Sequence, residues 1–253
     1  MAKLVPPNCG TNFVILAGLV RWGCPIIKYI ATTMYILGIN GGVRLGYQDI
    51  SAVLLKNGKP VAAVEEERLN CVKHSPGQLP QRAIKKVLEM EGISMHDVAC
   101  VGSHGITWGE TYQNVLEGYF KHEFGHSPKV IRFHHHDAHA ASAYYASGFD
   151  EAMVLSIDNS GDGVSTELAV GKGSEMKVVE QIERPNSLGI YYSLLTQFCG
   201  FIRDSDEYKL MGLSSYGNRD AYDFSWLLKV ENGHYHFNTD YILSLIHISE
   251  PTR

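Results

Sequence analysis

Four histidines fall within six residues, His134, His135, His136 and His139, with Asp137 and Ala138 completing the run. His135 and His139 are four apart, so a helix through Asp137 to Ser147 would project both imidazoles from one face, within reach of a single metal ion. Downstream, Ala152-Met153-Val154-Leu155-Ser156-Ile157 reads as a buried strand with Asp158 at its end, before the chain turns through Gly161 and Gly163. Two imidazoles and a carboxylate form a donor set suited to a divalent transition metal. Two surface histidines on a helix would share this spacing, so the assignment needs the carboxylate and the surrounding pattern.

Several elements must position these groups. Tyr35-Ile36-Leu37-Gly38-Ile39, Ala52-Val53-Leu54-Leu55 and Val61-Ala62-Ala63-Val64 predict a three-stranded meander, with Lys56-Asn57-Gly58-Lys59 as a type I′ hairpin turn. Ala83, Ile84, Val87 and Leu88 recur at helical spacing in a segment from Pro80 that Gly92 ends. A strand over Val98–Gly102, a helix over Glu110–Phe124 and a strand over Lys129–Phe133 then lead to the histidines. The pattern restarts after Ala152, with strands to Asp158, over Ser165–Gly171 and over Val178–Glu183, and a helix over Leu188–Phe198. A strand meander followed by helices, twice, is the α/β signature of the actin, Hsp70 and sugar-kinase superfold, whose lobes are ribonuclease H-like.

Composition narrows the partners. The chain is 45% hydrophobic and 19% charged, an ordinary globular balance, with a net charge of -5. No block of Lys or Arg is present to neutralise phosphates, which excludes a nucleic-acid groove. The apolar run Phe13–Val20 is too short to span a bilayer. Five cysteines without a Cys-x-x-Cys pair predict neither disulfides nor a zinc ribbon and suit a reducing cytoplasm.

The run His-His-x-x-His-Ala-Ala-Ser-Ala-Tyr from His135, the strand to Asp158, Ser187-Leu188-Gly189-Ile190-Tyr191-Tyr192-Ser193 and Asp206-Glu207-Tyr208-Lys209-Leu210-Met211-Gly212-Leu213-Ser214-Ser215-Tyr216-Gly217 occur in order. Met34–Ile39 and Val61–Leu69 precede them. In these motifs, over Met34 to Ile242, the chain resembles the N-terminal domain of the nodulation-protein-U type O-carbamoyltransferases. The resemblance implies that His135, His139 and Asp158 hold Fe2+ or another divalent metal that contacts nucleotide phosphate, with a further Asp supplied from beyond this chain. His136 would be a catalytic group, facing substrate or supporting the ligands, and His134 has no assigned role. Lys73 and His74 would meet a phosphate or carbamoyl oxygen as catalytic residues, beside a charge run Glu65-Glu66-Glu67-Arg68 that is either solvated or lines the substrate channel. Asp49 stands in the family's Tyr-His-Asp-Ser-Ser-Ala pattern, with Gln48 in place of the His. It suits phosphate or Mg2+ chemistry, or simple turn formation. Gly161 and Gly163 would let backbone amides approach phosphate. Glu207 and Lys209 would face the nucleotide, with Met211 and Leu213 in the core.

The implied activity is ATP-dependent: carbamoyl phosphate and ATP become carbamoyladenylate in a C-terminal domain normally in cis, and this domain passes the carbamoyl group to a hydroxyl of a small-molecule acceptor. The expected setting is cytoplasmic, without membrane or nucleic-acid partners. One rival is a metal- and ATP-binding tRNA threonylcarbamoyl transferase, disfavoured by the lack of a basic face. A second is an inactive nucleotide-binding fragment. The last eleven residues, 243–253, look like a translated library-preparation adapter, and 1–33 like upstream sequence, so the expected organisation is a first lobe over 34–150 and a curtailed second part over 151–242.

Overall fold

In the computed structural model the described residues are 33–42, 49–218, 220–238 and 240, so the stretches 1–32 and 243–253 discussed above lie outside them, as does Gln48. Asn57 and Gly58 take φ of 51° and 78°, the type I′ combination, and join β2 (Ser51–Lys56) to β3 (Lys59–Glu65). β1 (Tyr35–Asn40) pairs antiparallel with β2, and β2 antiparallel with β3. On its other side β1 pairs in parallel with β4 (Val98–His104), which pairs in parallel with β5 (Lys129–Phe133). The sheet order is therefore β3-β2-β1-β4-β5, the ribonuclease H-like arrangement of actin, Hsp70 and sugar-kinase lobes.

Parallel neighbours need a crossover, and helices supply it. After the single turn α1 (Glu67–Asn70), α2 (Gln81–Glu91) buries Ala83, Ile84, Val87 and Leu88, and Gly92 ends it at φ 65°. α3 (Gly109–Phe124) buries Tyr112, Leu116 and Phe120. These side chains meet Leu37, Ile39, Leu54 and Val101 from the sheet in the largest hydrophobic core.

Glu66, read above within a charge run, is 2% exposed. Its carboxylate accepts from the backbone N–H groups of Arg82 and Ala83, at 3.2 and 2.7 Å. It therefore neutralises orphan donors at the start of α2, where the helix dipole also favours negative charge. Glu66 is a helix-anchoring group, neither solvated nor lining a channel.

α4 (His135–Ser147) begins two residues earlier than expected and presents Ala140, Ala141 and Tyr144 to Val154, Ala169 and Met176. β6 (Glu151–Gly161), β7 (Val164–Lys172) and β8 (Glu175–Glu183) form a three-stranded sheet. β6 is not the buried strand its composition predicts. Val154 and Ser156 are buried, whereas Met153, Leu155 and Ile157 are more than half exposed, so the strand buries one face only.

The described chain forms two compact units, the residues up to Val154 with Ala169–Lys177, and Leu155–Leu168 with Val178 onward. In the second unit, α5 (Leu188–Phe198) contributes Ile190 and Leu194 to a core with Leu227 and Phe237, the latter from the hairpin of β9 (Leu228–Glu231) and β10 (His234–Phe237). α6 (Glu207–Ser214) buries none of its residues. Met211 and Leu213, expected in the core, are 64% and 49% exposed, because hydrogen bonds at its N-terminus hold this short helix rather than an apolar face. Among the described residues no helix is long and apolar enough to cross a membrane, and Cys71, Cys100 and Cys199 form no disulfide.

Glu66→Ala should lower stability by about 1–3 kcal/mol, the cost of orphaning two donors at a buried helix start. Denaturant unfolding measures it, and an unchanged midpoint would contradict the capping role.

Candidate metal centre

Strand direction decides where the chemistry gathers. β1, β4 and β5 run in parallel, so Asn40, His104 and Phe133 end on one edge of the five-stranded sheet. β2 starts on that edge, with Ser51 opposite Asn40, and β3 returns to it, with Glu65 opposite Ser51. With strands about 4.8 Å apart, this edge is roughly 20 Å long from β3 to β5. It is the carboxyl edge of the parallel strands, the usual location of ligands in open α/β sheets.

The histidines occupy the β5 end. His134 is the extended residue before α4, and His135 and His139 stand one turn apart on that helix with their Nε2 atoms at 2.9 Å. With one ring protonated at Nε2 the contact is a hydrogen bond. With both Nε2 lone pairs exposed, the same convergence suits a shared metal ion. Both rings are half-buried, which leaves one side open. His136 is fully buried, its ring 5.6 Å from that of His135 and 6.0 Å from that of His139. It lies beside the pair and does not face solvent, which fits the supporting alternative better than the substrate-facing one. His104, at the end of β4, sets its ring edge-on to His135 at 6.0 Å and to Trp108 at 5.4 Å. The strand expected over Val98–Gly102 runs two residues further, and those two residues bring His104 to the edge.

A second group occupies the β2–β3 end. Asp49 Oδ1 and His74 Nδ1 lie 2.9 Å apart. The His74 backbone N–H donates to Glu67 Oε2 at 2.6 Å, and Lys73 Nζ donates to the same carboxylate at 3.2 Å. Glu67 is held below the usual carboxylate range, chiefly by the His74 N–H and then by Lys73. The structure thus brings Asp49, His74, Lys73 and Glu67 together across 25 residues of sequence.

Asp158 lies in the second unit. β6 continues to Gly161, so Asp158 is within the strand and not at its end. The Asn159 N–H donates to its Oδ1 at 2.6 Å. Gly189, in the first turn of α5, lies against this backbone: a Cβ there would sit 2.5 Å from both Asn159 N and Asn159 Cα. Ser187, the N-cap of α5, donates to Asn159 O at 2.7 Å and accepts from Ile190 N–H at 3.0 Å. Gly161 is the last residue of β6, while Asp162 and Gly163, at φ 53° and 89°, make the tight turn into β7. Asp162 and Gly163 thus form a two-residue hairpin turn, which the Asp-Gly pair favours.

Glu207 and Lys209 also build local structure. Glu207 Oε1 accepts from Ser193 Oγ at 3.0 Å and from Asp204 N–H at 2.6 Å. Lys209 Nζ pairs with Asp206 Oδ1 at 2.8 Å, which holds the Asp206 carboxyl below its ordinary range and the Lys209 ammonium above its own.

A family model described as "Carbamoyltransferase N-terminus" matches residues 104–249, a span that contains the four clustered histidines, His104 and Asp158. This chain belongs to the carbamoyltransferase N-terminal family. It is 34% identical over 245 residues to nodulation protein NolNO of Sinorhizobium fredii, with 83% of this chain and 36% of that protein covered. An uncharacterized protein of Synechocystis is 33% identical over 212 residues, with 70% of this chain and 34% of that protein covered. Nodulation protein NolO of Bradyrhizobium diazoefficiens is 41% identical over 90 residues, 35% of this chain and 16% of that protein. The chain spans about a third of the length of the first two relatives. Among solved structures, ethanolamine utilization protein EutJ from Carboxydothermus hydrogenoformans aligns at 16% identity over 92% of this chain and 76% of that one, with a TM-score of 0.36.

Gly189→Ala should cost about 1–3 kcal/mol, because the new methyl group meets backbone and not a side chain that could rotate away. Thermal unfolding tests this, with Gly212→Ala, where nothing lies within 4 Å, as the control. Equal melting temperatures for the two variants would refute the close approach.

Proposed function

We propose that this carbamoyltransferase-family chain serves ATP-dependent O-carbamoyl transfer to a small-molecule hydroxyl, with carbamoyl phosphate as the carbamoyl source and carbamoyladenylate as the activated donor. One observation carries the reading: two imidazoles converge at 2.9 Å on the carboxyl edge of a ribonuclease H-like sheet, in a chain whose family is that of carbamoyltransferases. His135 and His139 would hold Fe2+ or another divalent ion, and the resemblance adds Asp158 to the donor set. Two neutral nitrogen donors and a carboxylate fit such an ion chemically. When bound, the ion would supply Lewis-acid charge for phosphate oxygens.

The protein's own groups do the rest. The buried His136 ring packs against both liganding rings and fixes their orientation. Lys73, 73% exposed at the far end of the sheet edge, offers an ammonium to a phosphate or carbamoyl oxygen. Nucleotide contact by Gly161, Gly163, Glu207 and Lys209, and Mg2+ accompanying ATP, rest on the family resemblance. The β2–β3 end and the β5 end of the edge are roughly 15–20 Å apart, a span that accommodates an activated donor and an acceptor side by side.

Two measurements test this. The protein should carry about one iron or zinc equivalent per chain by elemental analysis, and His135→Ala with His139→Ala should abolish it. Unchanged metal content would remove the assignment. The protein encoded by the complete gene, supplied with ATP, carbamoyl phosphate and a panel of sugars and other polyols, should yield a product heavier by one carbamoyl group. Absence of a carbamoylated product across the panel, together with absence of carbamoyladenylate, would overturn the transfer reading.

A further inference from the structure

Asp49 and His74 are 25 residues apart in sequence, yet Asp49 Oδ1 reaches His74 Nδ1 at 2.9 Å. Both residues are fixed from several directions. Asp49 N–H donates to His74 O at 3.0 Å, Asn40 Nδ2 donates to Asp49 O at 3.0 Å, and the His74 N–H is taken by Glu67. Each also adopts an unusual backbone conformation, φ 57° at Asp49 and φ 60° at His74, with φ 44° at Ser75 next to it. Non-glycine residues avoid this region, and the surrounding hydrogen bonds hold them there.

The chemistry follows from which nitrogen is engaged. A carboxylate accepts and does not donate, so Asp49 selects the tautomer with the proton on Nδ1 and leaves the lone pair on Nε2. The His74 side chain is 33% exposed, and among the described residues no hydrogen bond engages its Nε2. A carboxylate that fixes the tautomer of a half-open imidazole is the arrangement by which a neutral histidine takes a proton from a hydroxyl. The pair stands at the β2–β3 end of the sheet edge, three to four strand positions from the converging histidines at β5.

We infer that His74, oriented by Asp49, is the general base that deprotonates the acceptor hydroxyl. This rests on the carbamoyl-transfer reading. In the step, the acceptor oxygen bonds to the carbamoyl carbon of a mixed carbamic–phosphoric anhydride. The bond from that carbon to the phosphate oxygen breaks, its electron pair leaves with the phosphate, and the hydroxyl proton moves to His74 Nε2. Asp49 is a positioning residue that acts through the ring, not a phosphate or Mg2+ contact. Lys73, tied to Glu67 beside it, places a positive charge on the same side.

The test uses this chain without donor or acceptor, so its outcome is independent of whether transfer is observed. Long-range proton–nitrogen correlation of the imidazoles, assigned with His74→Gln, should show His74 protonated at Nδ1 and bare at Nε2. Asp49→Asn should reverse this tautomer, because the amide donates to Nδ1, and Asn tolerates the left-handed backbone at this position. Acylation by diethyl pyrocarbonate, followed at peptide level by mass spectrometry, should be slower at His74 in Asp49→Asn by on the order of tenfold, since Nε2 is then protonated. His122, whose side chain is 84% exposed, should react at the same rate in both proteins and so reports intact folding. An Nε2–H tautomer in the parent protein, or a tautomer and acylation rate unmoved by Asp49→Asn, would overturn the inference.

Discussion

The direction of β1 relative to β4 and β5 is the constraint on which the rest depends. Because these three strands run in parallel and β2 and β3 fold back antiparallel beside them, five chain segments open onto one edge. Reversing any one of them would carry its terminal group to the opposite edge, a strand length away. The buried core beneath, from Leu37 and Ile39 through Val101 to Leu116 and Phe120, stabilises that order. The edge itself is polar and strained, with positive φ at Asp49, His74 and Ser75. A well-packed layer thus supports a less stable one, a common division of labour at functional sites.

Much of the architecture was legible in the chain because it rests on local rules. Asn57-Gly58 specified its hairpin through the φ values that turn requires, and Gly92 ended α2 where the apolar spacing stopped. The helix over Leu188–Phe198 and the strand over Lys129–Phe133 have the predicted bounds. The histidine pair was legible for the same reason, since four-residue spacing is a local property of a helix.

What depended on tertiary partners was not legible. Glu66 sits in a run of charges, and only the fold shows its carboxylate under the first turn of α2. Met211 and Leu213 carry core-like side chains, but their helix is tied down through Glu207. The stretch Ala152–Ile157 of β6 is mostly apolar and nonetheless buries only Val154 and Ser156. Asp49 offered turn chemistry or phosphate binding equally well. Its link to His74 spans a hairpin and the α1 turn, and no spacing rule encodes such a contact. His104 was hidden because a strand boundary is poorly defined in sequence.

The proposed metal centre rests on His135 and His139 acting at the sheet edge as paired ligands to one ion. X-ray absorption at the iron edge, on the protein reconstituted with Fe2+, tests it most directly. The expected spectrum carries the outer-shell multiple scattering of two imidazoles together with oxygen donors, and no sulfur scatterer. A spectrum without imidazole scattering, or one dominated by sulfur, would contradict it.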